Sequence, residues 1–162
     1  MIRPLVTGLL WFSALGCALL AGLYFAFSTF IMTALGRIGQ AQGVSAMNAI
    51  NATILRSLFM PLFFGTTLSS LALAVIGAFR LAEPGSPAMT VGGALYVVGM
   101  FVVTMTCNVP LNNALAASDA ADGKTAVLWK RYLKDWTLWN HVRTVASLVA
   151  SALFIAAIAQ RG

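Results

Sequence analysis

The sequence predicts an all-α integral membrane protein, a bundle of four membrane-spanning helices. Of its 162 residues only 9% are charged and 60% are hydrophobic, whereas a soluble domain carries about 25% charged residues. Residues 4–36, 57–79, 84–118 and 144–160 carry no charge, and a spanning helix needs roughly 17 to 25 apolar residues. We therefore predict one membrane domain over residues 1–162, with spans at about 5–35, 58–79, 89–108 and 142–159.

The first span begins after Arg3 and stays apolar to Met32. That run is too long for the core of a signal peptide, so we expect it to be retained as a span. Small residues recur at every fourth position: Ala14, Ala18, Gly22 and Ala26. This stripe predicts a contact surface for other helices and would also permit self-association into a homo-oligomer. The end of the span, with Tyr24 and Phe27, is interpreted as packing, with a pocket wall as the alternative.

The second helix is predicted to begin near Ala46, capped by the Ser45 hydroxyl. Helical spacing continues through Asn51 into the span, so this helix should start outside the membrane and enter it near Leu58. Pro61 removes a backbone donor and is expected to kink the entry.

The third span is expected to end at Asn108, because Pro110 disfavours helix in the residue before it. The last helix should run without interruption from about Thr125 to Ala159. At 1.5 Å per residue it is about 50 Å long, well beyond the roughly 30 Å of hydrocarbon. It therefore projects on the same side as the start of the second helix, and the two projections should pair into a small cap.

Basic residues predict the orientation. The cap side holds Arg37, Arg56, Lys124, Lys130, Arg131, Lys134 and Arg143, whereas the side of the termini holds Arg3, Arg80 and Arg161. The positive-inside rule then predicts an inner-membrane protein with a cytoplasmic cap and both termini outside. Although the sequence pI is near 10.0, the basic residues flank apolar blocks instead of forming a stripe with aromatics. We expect membrane lipids as partners and no nucleic acid.

A polar stripe marks the point where the last helix enters the membrane. Trp136, Asn140 and Arg143 share one sector of the helix, and Trp139 and His141 lie at its two edges, since each residue advances the helix by about 100°. Such groups are costly to bury without partners. The end of the third span supplies possible partners at the same level, Asn108 and Asn112. Two interpretations stay open, a polar clamp between these helices and a ligand site. Trp129, Tyr132 and Lys134 are interpreted as an interfacial belt.

Cofactor motifs are absent from the sequence. One histidine and two isolated cysteines, Cys17 and Cys107, form no metal-binding spacing. No GxGxxG or other nucleotide or flavin fingerprint occurs. We therefore predict neither a metal nor another cofactor.

The segments "NVPLNNALA" and "WKRYLKDWTLWNHVRTVASLVA" resemble the signature of the anthrone oxygenase-like family. "AGLYFAFSTFIMTAL", "MNAINATILRSLFMPLFFGT" and "GMFVVTMTCNVPLN" are similar to its other blocks, so the resemblance covers nearly the whole chain. It implies a four-helix membrane protein. It also implies an activity known in a few relatives, oxidation of anthrones to anthraquinones with molecular oxygen and without metal or flavin.

The resemblance suggests a mechanism in which a planar tricyclic ketone enters from the bilayer and stacks on Trp136 or Trp139. His141 would remove the ring-methylene proton, since an imidazole can take up a proton near neutral pH. Arg143, Asn140 and Asn108 would stabilise the enolate oxygen. Further candidate substrate-binding residues are Asn112 and Asn51.

Two other functions stay open. One is a non-enzymatic membrane protein that binds a lipid or hydrophobic metabolite, or assists a membrane complex. The other is transport, which the sequence disfavours because the spans lack acidic residues and no inverted repeat is visible.

Overall fold

The computed structural model describes residues 2–119 and 123–161, and within them the chain forms five helices and no strand. Helix α1 runs from Ile2–Ala26 through a π-helical turn, Phe27–Ile31, into Met32–Arg37. Helices α2 and α3 are Gln40–Ile54 and Phe59–Ala78. Helix α4 joins Ser86–Tyr96 to Val109–Ala116 through π-helical turns at Val97–Val102 and Thr104–Asn108. Helix α5 is Gly123–Ala159. Four of the five, all but α2, are long and apolar enough to cross a membrane. The protein is an all-α membrane helical bundle, as predicted.

The prediction of one continuous second helix was wrong, because the chain turns at residues 55–58 between α2 and α3. Pro61 has no N–H for the carbonyl of Ser57, and its ring would collide with that carbonyl in a continuous helix. The Ser57 hydroxyl instead closes both ends of the break. It donates to the Ile54 carbonyl oxygen at 2.8 Å and accepts from the Phe59 N–H at 3.2 Å.

The start of α2 also differs from the prediction. The helix begins at Gln40, six residues before Ala46, so Ser45 lies inside it and is not its cap. The Gln42 side-chain oxygen accepts from the Gly39 N–H at 3.2 Å and anchors the first turn.

Helix α4 continues past Pro110, so the prediction that this proline disrupts the helix was wrong. Just before the proline, the Val109 N–H donates to the Thr104 carbonyl, five residues back. This wider turn shifts the hydrogen-bond register, and Pro110 then falls in the first turn of the following α-helical segment. A missing N–H is tolerated there.

The spanning part of the bundle packs α1 against α5, α3 against α4, and α4 against α5. Close approach of α3 and α4 requires Gly93, where a Cβ would meet the Ser70 carbonyl oxygen. The Ser151 hydroxyl of α5 donates to the Ala14 carbonyl of α1 at 2.8 Å. The predicted small-residue stripe is not a contact surface within the described chain along its length, because Ala18 and Gly22 are exposed.

The predicted cap is present. The spanning part has one hydrophobic core cluster, and the cap has another. The cap cluster joins α2 to the ends of α1 and α4 and to the first half of α5. It contains Phe27, Met32, Leu35, Val44, Met47, Leu115, Trp129, Tyr132 and Trp136. Trp129 and Tyr132 are therefore buried core residues, at 4% and 0% exposure. Their assignment to an interfacial belt was wrong, because the cap covers the rings that would otherwise meet the headgroups.

Candidate ligand cavity

A cavity of about 310 Å³ lies between the cap and the spanning core. Its lining includes members of both core clusters, such as Phe63 from the spanning core and Met47 from the cap. Small-molecule sites typically have volumes of roughly 300 to 1,000 Å³ and mainly apolar walls with a few polar groups. This cavity has that character; besides Trp136, its polar side chains are Tyr24, Asn51, Thr104, Asn112 and Arg143.

Two of the π-helical turns border the cavity. The turn in α1 supplies Phe27, and the second turn in α4 supplies Thr104 and Met105. A π-turn inserts one residue into an α-helix and is frequent at functional sites. Both helices therefore change their hydrogen-bond register where they form the cavity wall.

Arg143 turns its guanidinium into the bundle, and the side chain lines the cavity. The residue is 5% exposed. Its Nη2 donates to Asn140 Oδ1 at 2.6 Å and its Nη1 to Thr104 Oγ1 at 3.4 Å, whereas Nε has no acceptor among the described residues. The guanidinium carbon lies 4.5 Å from the ring centre of Tyr24 and 5.1 Å from that of Trp136. Both are cation–π distances.

The positive charge of Arg143 is held by dipoles and ring faces. Arg143 has no ion-pair partner among the described residues, and it belongs to neither the Arg80–Glu83 pair nor the Arg131–Asp135 pair. Burying a charge costs several kcal/mol. Hydrogen bonds to a charged group return about 1.5 to 3 kcal/mol, and a desolvated cation–π contact about 2 kcal/mol. An anionic oxygen in the cavity would complete this arrangement, because it would supply the missing opposite charge.

Asn140 positions the guanidinium without lining the cavity. It is fully buried, and its Nδ2 donates to the Tyr24 carbonyl oxygen and to Ser28 Oγ, both at 2.7 Å. These two bonds fix the orientation of the amide, so that its Oδ1 faces Arg143. The bonds also tie α5 to the π-turn region of α1.

Asn108 and Asn112 fasten α4 to α5 and set the position of Trp136. Asn108 Nδ2 donates to the Trp136 carbonyl oxygen at 3.2 Å. Asn112 Oδ1 accepts from Trp136 Nε1 at 2.9 Å and from the Tyr132 hydroxyl at 2.7 Å. The Trp136 ring also lies 5.7 Å from the Phe27 ring. The indole is therefore held between the guanidinium and the aromatic wall.

The structure does not bring all the predicted site residues together. Arg143, Trp136, Asn112 and Asn51 line the cavity, and the bonds of Asn108 and Asn140 position the first two. His141 and Trp139 are exposed and are not among the lining residues. On a helix that turns by about 100° per residue, the two neighbours of Asn140 necessarily leave its inward face. The role of His141 as the base stays a prediction from the sequence, and the position of the side chain outside the cavity lining favours another proton acceptor.

Two residues of the cavity wall, Tyr24 and Thr104, were not among the predicted site residues. Tyr24 was interpreted as packing, with a pocket wall as the alternative; it lines the cavity, its ring stacks on Arg143 and its carbonyl accepts from Asn140. Thr104 was not singled out, yet its hydroxyl donates to the Met100 carbonyl at 2.7 Å and is thereby oriented to accept from Arg143. The available signal for Tyr24 was a hydroxyl-bearing ring inside an otherwise apolar span. Nothing in the sequence marks Thr104 among the other threonines of its helix.

A family model described as anthrone oxygenase matches residues 53–153, more than half of the chain. The chain belongs to the anthrone oxygenase family. In this family member the matched range contains Asn108, Asn112, Trp136, Asn140 and Arg143, whereas Tyr24 and Asn51 lie before it. No curated protein and no solved structure matches the chain.

For an anthrone oxygenase family member, this geometry fits the recognition of an aromatic compound that carries one acidic oxygen. The apolar wall and the rings of Phe27, Phe63 and Trp136 can contact a flat ring system. Arg143 can bind the oxygen, since a guanidinium stays charged and presents several N–H donors. The cavity thus offers a ligand a large apolar contact surface and one positive charge, that of Arg143.

Proposed function

We propose that this membrane protein oxidises a planar, lipophilic anthrone-like or hydroquinone-like compound with molecular oxygen. The observation that carries the proposal is the buried guanidinium of Arg143, which faces an aromatic-lined cavity and has no ion-pair partner among the described residues. The volume of about 310 Å³ supports a ligand of two or three rings, because an apolar cavity of about 150 Å³ binds benzene.

For an anthrone-like substrate the reaction follows from stabilisation of the substrate anion. A ring-methylene C–H bond breaks, its proton leaves, and the electron pair delocalises onto the carbonyl oxygen beside Arg143. The anion then gives its electrons to oxygen, and a C–O bond forms at the former methylene carbon. Protonation yields a hydroperoxide, and loss of water yields the quinone. One oxygen atom ends in the quinone and the other in water, with the substrate as the source of all the electrons.

Arg143 contributes by favouring the ionised substrate over the neutral one. The described cavity-lining residues include no carboxylate and no imidazole. A nearby positive charge lowers the free energy of an anion, and a preorganised donor in a dry site does so without reorganising at the moment of reaction. We therefore assign the proton to water and the stabilisation of charge to Arg143, with Asn140 as its positioning residue.

Oxygen uptake by the purified protein in lipid nanodiscs tests this proposal. Anthrone should be consumed with the formation of anthraquinone, and 10,10-dimethylanthrone, which has no methylene proton, should not react. Arg143→Met should lower kcat/KM by about 100-fold to 1,000-fold, the usual cost of one lost oxyanion donor. The matched control is Arg131→Met, which removes an exposed arginine of the same helix. Equal rates in the two variants would overturn the assignment, and assays with and without chelator test whether a metal takes part.

A second candidate function is ligand binding without turnover. It is favoured by the close hydrogen bond between Arg143 and Asn140 and by the lack of a proton acceptor among the described lining residues. A guanidinium held in place by Asn140 can bind an acidic aromatic compound, and a lining without a proton acceptor would release that compound unchanged. Tight binding of anthrone with no oxygen uptake above the protein-free rate would decide for this function.

We further propose that the protein lies in the inner membrane with the cap in the cytoplasm. With the buried Arg143 set aside, six basic residues remain on the cap side: Arg37, Arg56, Lys124, Lys130, Arg131 and Lys134. The opposite side has Arg3, Arg80 and Arg161, and this asymmetry supports the orientation. A membrane-impermeant maleimide should label Ala82→Cys in intact cells but Ala117→Cys only after lysis. The reverse pattern would invert the topology.

A further inference from the structure

The cavity is open on one side within the described chain. Where α3 and α4 form the wall, Phe64 and Met105 are 47% and 48% exposed, and Leu55 beside them is 63% exposed. The opposite wall is closed, since Met47 and Trp136 are 1% and 5% exposed. The opening therefore lies between α3 and α4, next to the turn at residues 55–58.

The surface around this opening is apolar. Leu58 at the turn is exposed, and so are Leu68 on α3 and Val102 on α4, which lie one helical turn beyond the rim residues Phe64 and Met105. The neighbouring basic residue Arg56 is also exposed, and an arginine at the end of a span commonly reaches the lipid headgroups. This pattern places the opening just below the headgroups, where it faces lipid chains.

Both helices that flank the opening depart from regular geometry beside it. Helix α3 begins at Phe59 after the break at 55–58, and α4 passes through its π-turn at Thr104–Asn108. Irregular backbone at membrane depth is tolerated where it lines a cavity. Helices α3 and α4 pack closely along Ser86–Tyr96, where Gly93 admits the Ser70 carbonyl, and much less closely along the π-turn beside the opening.

We propose that the gap between α3 and α4 is a lateral portal through which the aromatic substrate enters from the bilayer. Phe64 and Met105 form its gate. The Phe64 ring leans on the rings of Phe63 and Phe101, at centroid distances of 5.3 and 6.4 Å. Met105 supplies a flexible thioether opposite it. The substrate class rests on the proposed function, whereas the route rests on the exposure of these residues.

Stopped-flow binding of alizarin to the full chain in phosphatidylcholine vesicles tests the portal. Alizarin is a flat three-ring phenol without a methylene group, and in oxygen-free buffer it binds without being oxidised and quenches tryptophan fluorescence. Met105→Phe narrows the gate and should lower the association rate by about fivefold, and the dissociation rate with it. Val102→Phe adds similar bulk one turn away, outside the cavity lining, and should leave both rates unaltered.

Phe64→Ala should have the opposite effect to Met105→Phe. It removes one side of the gate and should raise both rates, while Leu68→Ala, which shortens an exposed side chain of the same helix, should not. Equal behaviour of each variant and its control would overturn the portal. A change in Kd through the dissociation rate alone would make Met105 a wall contact and would also contradict a gate.

Vesicles of different lipid composition separate the bilayer route from an aqueous one. At a fixed free aqueous concentration of alizarin, association should be faster in vesicles that take up more of it, in proportion to the mole fraction of alizarin in the membrane. A rate that follows only the aqueous concentration would refute entry from the bilayer. Failure of the portal would leave the effect of Arg143→Met on oxygen uptake intact, whereas absence of oxygen uptake would leave these binding rates unchanged.

Discussion

Replacement of Asn140 by leucine should destabilise the bundle more than replacement of its charged partner, Arg143. The Asn140 amide makes two neutral hydrogen bonds, to the Tyr24 carbonyl and to Ser28, and accepts one from the guanidinium. Neutral hydrogen bonds in membrane proteins contribute about 0.6 kcal/mol each, and a bond to a charged group about 1.5 to 3 kcal/mol. Asn140→Leu should therefore lower the free energy of unfolding by about 3 kcal/mol.

Arg143→Met should change the free energy of unfolding by less than about 1 kcal/mol, because an apolar side chain avoids the cost of a buried charge while filling similar space. The double variant should then lose only the neutral bonds of Asn140, so the two substitutions should couple by about 2 kcal/mol. Reversible unfolding in mixed detergent micelles measures all three variants, and His141→Leu, at an exposed neighbouring position, is the control. Additivity to within about 0.5 kcal/mol would refute the reasoning, since Asn140 would then not hold the guanidinium.

Three further outcomes follow from the same geometry. Asn112→Leu should lower the free energy of unfolding by about 2 kcal/mol, because it leaves the buried N–H of Trp136 and a tyrosine hydroxyl without their acceptor. The exposed control Asn113→Leu should change the free energy of unfolding by less than about 0.5 kcal/mol. Similar losses in the two variants would contradict this role of Asn112. Trp136→Phe should weaken alizarin binding, measured calorimetrically, by about tenfold through loss of the cation–π contact, while binding as weak in Trp139→Phe would contradict the placement of the exposed indole outside the site. His141→Ala should keep anthrone-dependent oxygen uptake within about twofold of the wild type, whereas a loss of 100-fold or more would make His141 the base.

The membrane environment could be predicted from the sequence, because it depends on the summed hydropathy and charge of consecutive residues. Four charge-free stretches predicted four spans, and four helices of the structure are long and apolar enough to cross a membrane. Two of them, Phe59–Ala78 and Ser86–Ala116, nearly coincide with the charge-free stretches 57–79 and 84–118. The cap was predictable too, since the length of the last helix exceeds the hydrocarbon thickness. The inward sector with Trp136, Asn140 and Arg143 followed from helical periodicity.

Departures from regular helix were not readable in the same way. Proline signals at Pro61 and Pro110 look alike in sequence, yet one breaks the chain into two helices and the other is absorbed by a π-turn. The outcome depends on what the freed backbone groups find nearby. At the first site the Ser57 hydroxyl is available, and at the second the Val109 N–H reaches the Thr104 carbonyl through the π-turn.

By itself, the sequence determined the environment of the chain, its helical content and the face of the last helix that turns inward, because apolar transfer and helical period act through residues close together in the chain. Only the tertiary structure decided the partners of that face, among them Tyr24 and Thr104, and the position of the opening between α3 and α4. The Asn140 amide donates to the carbonyl oxygen of Tyr24, which lies 116 residues earlier in the chain. Such contacts arise from the packing of whole helices, so no local pattern contains them.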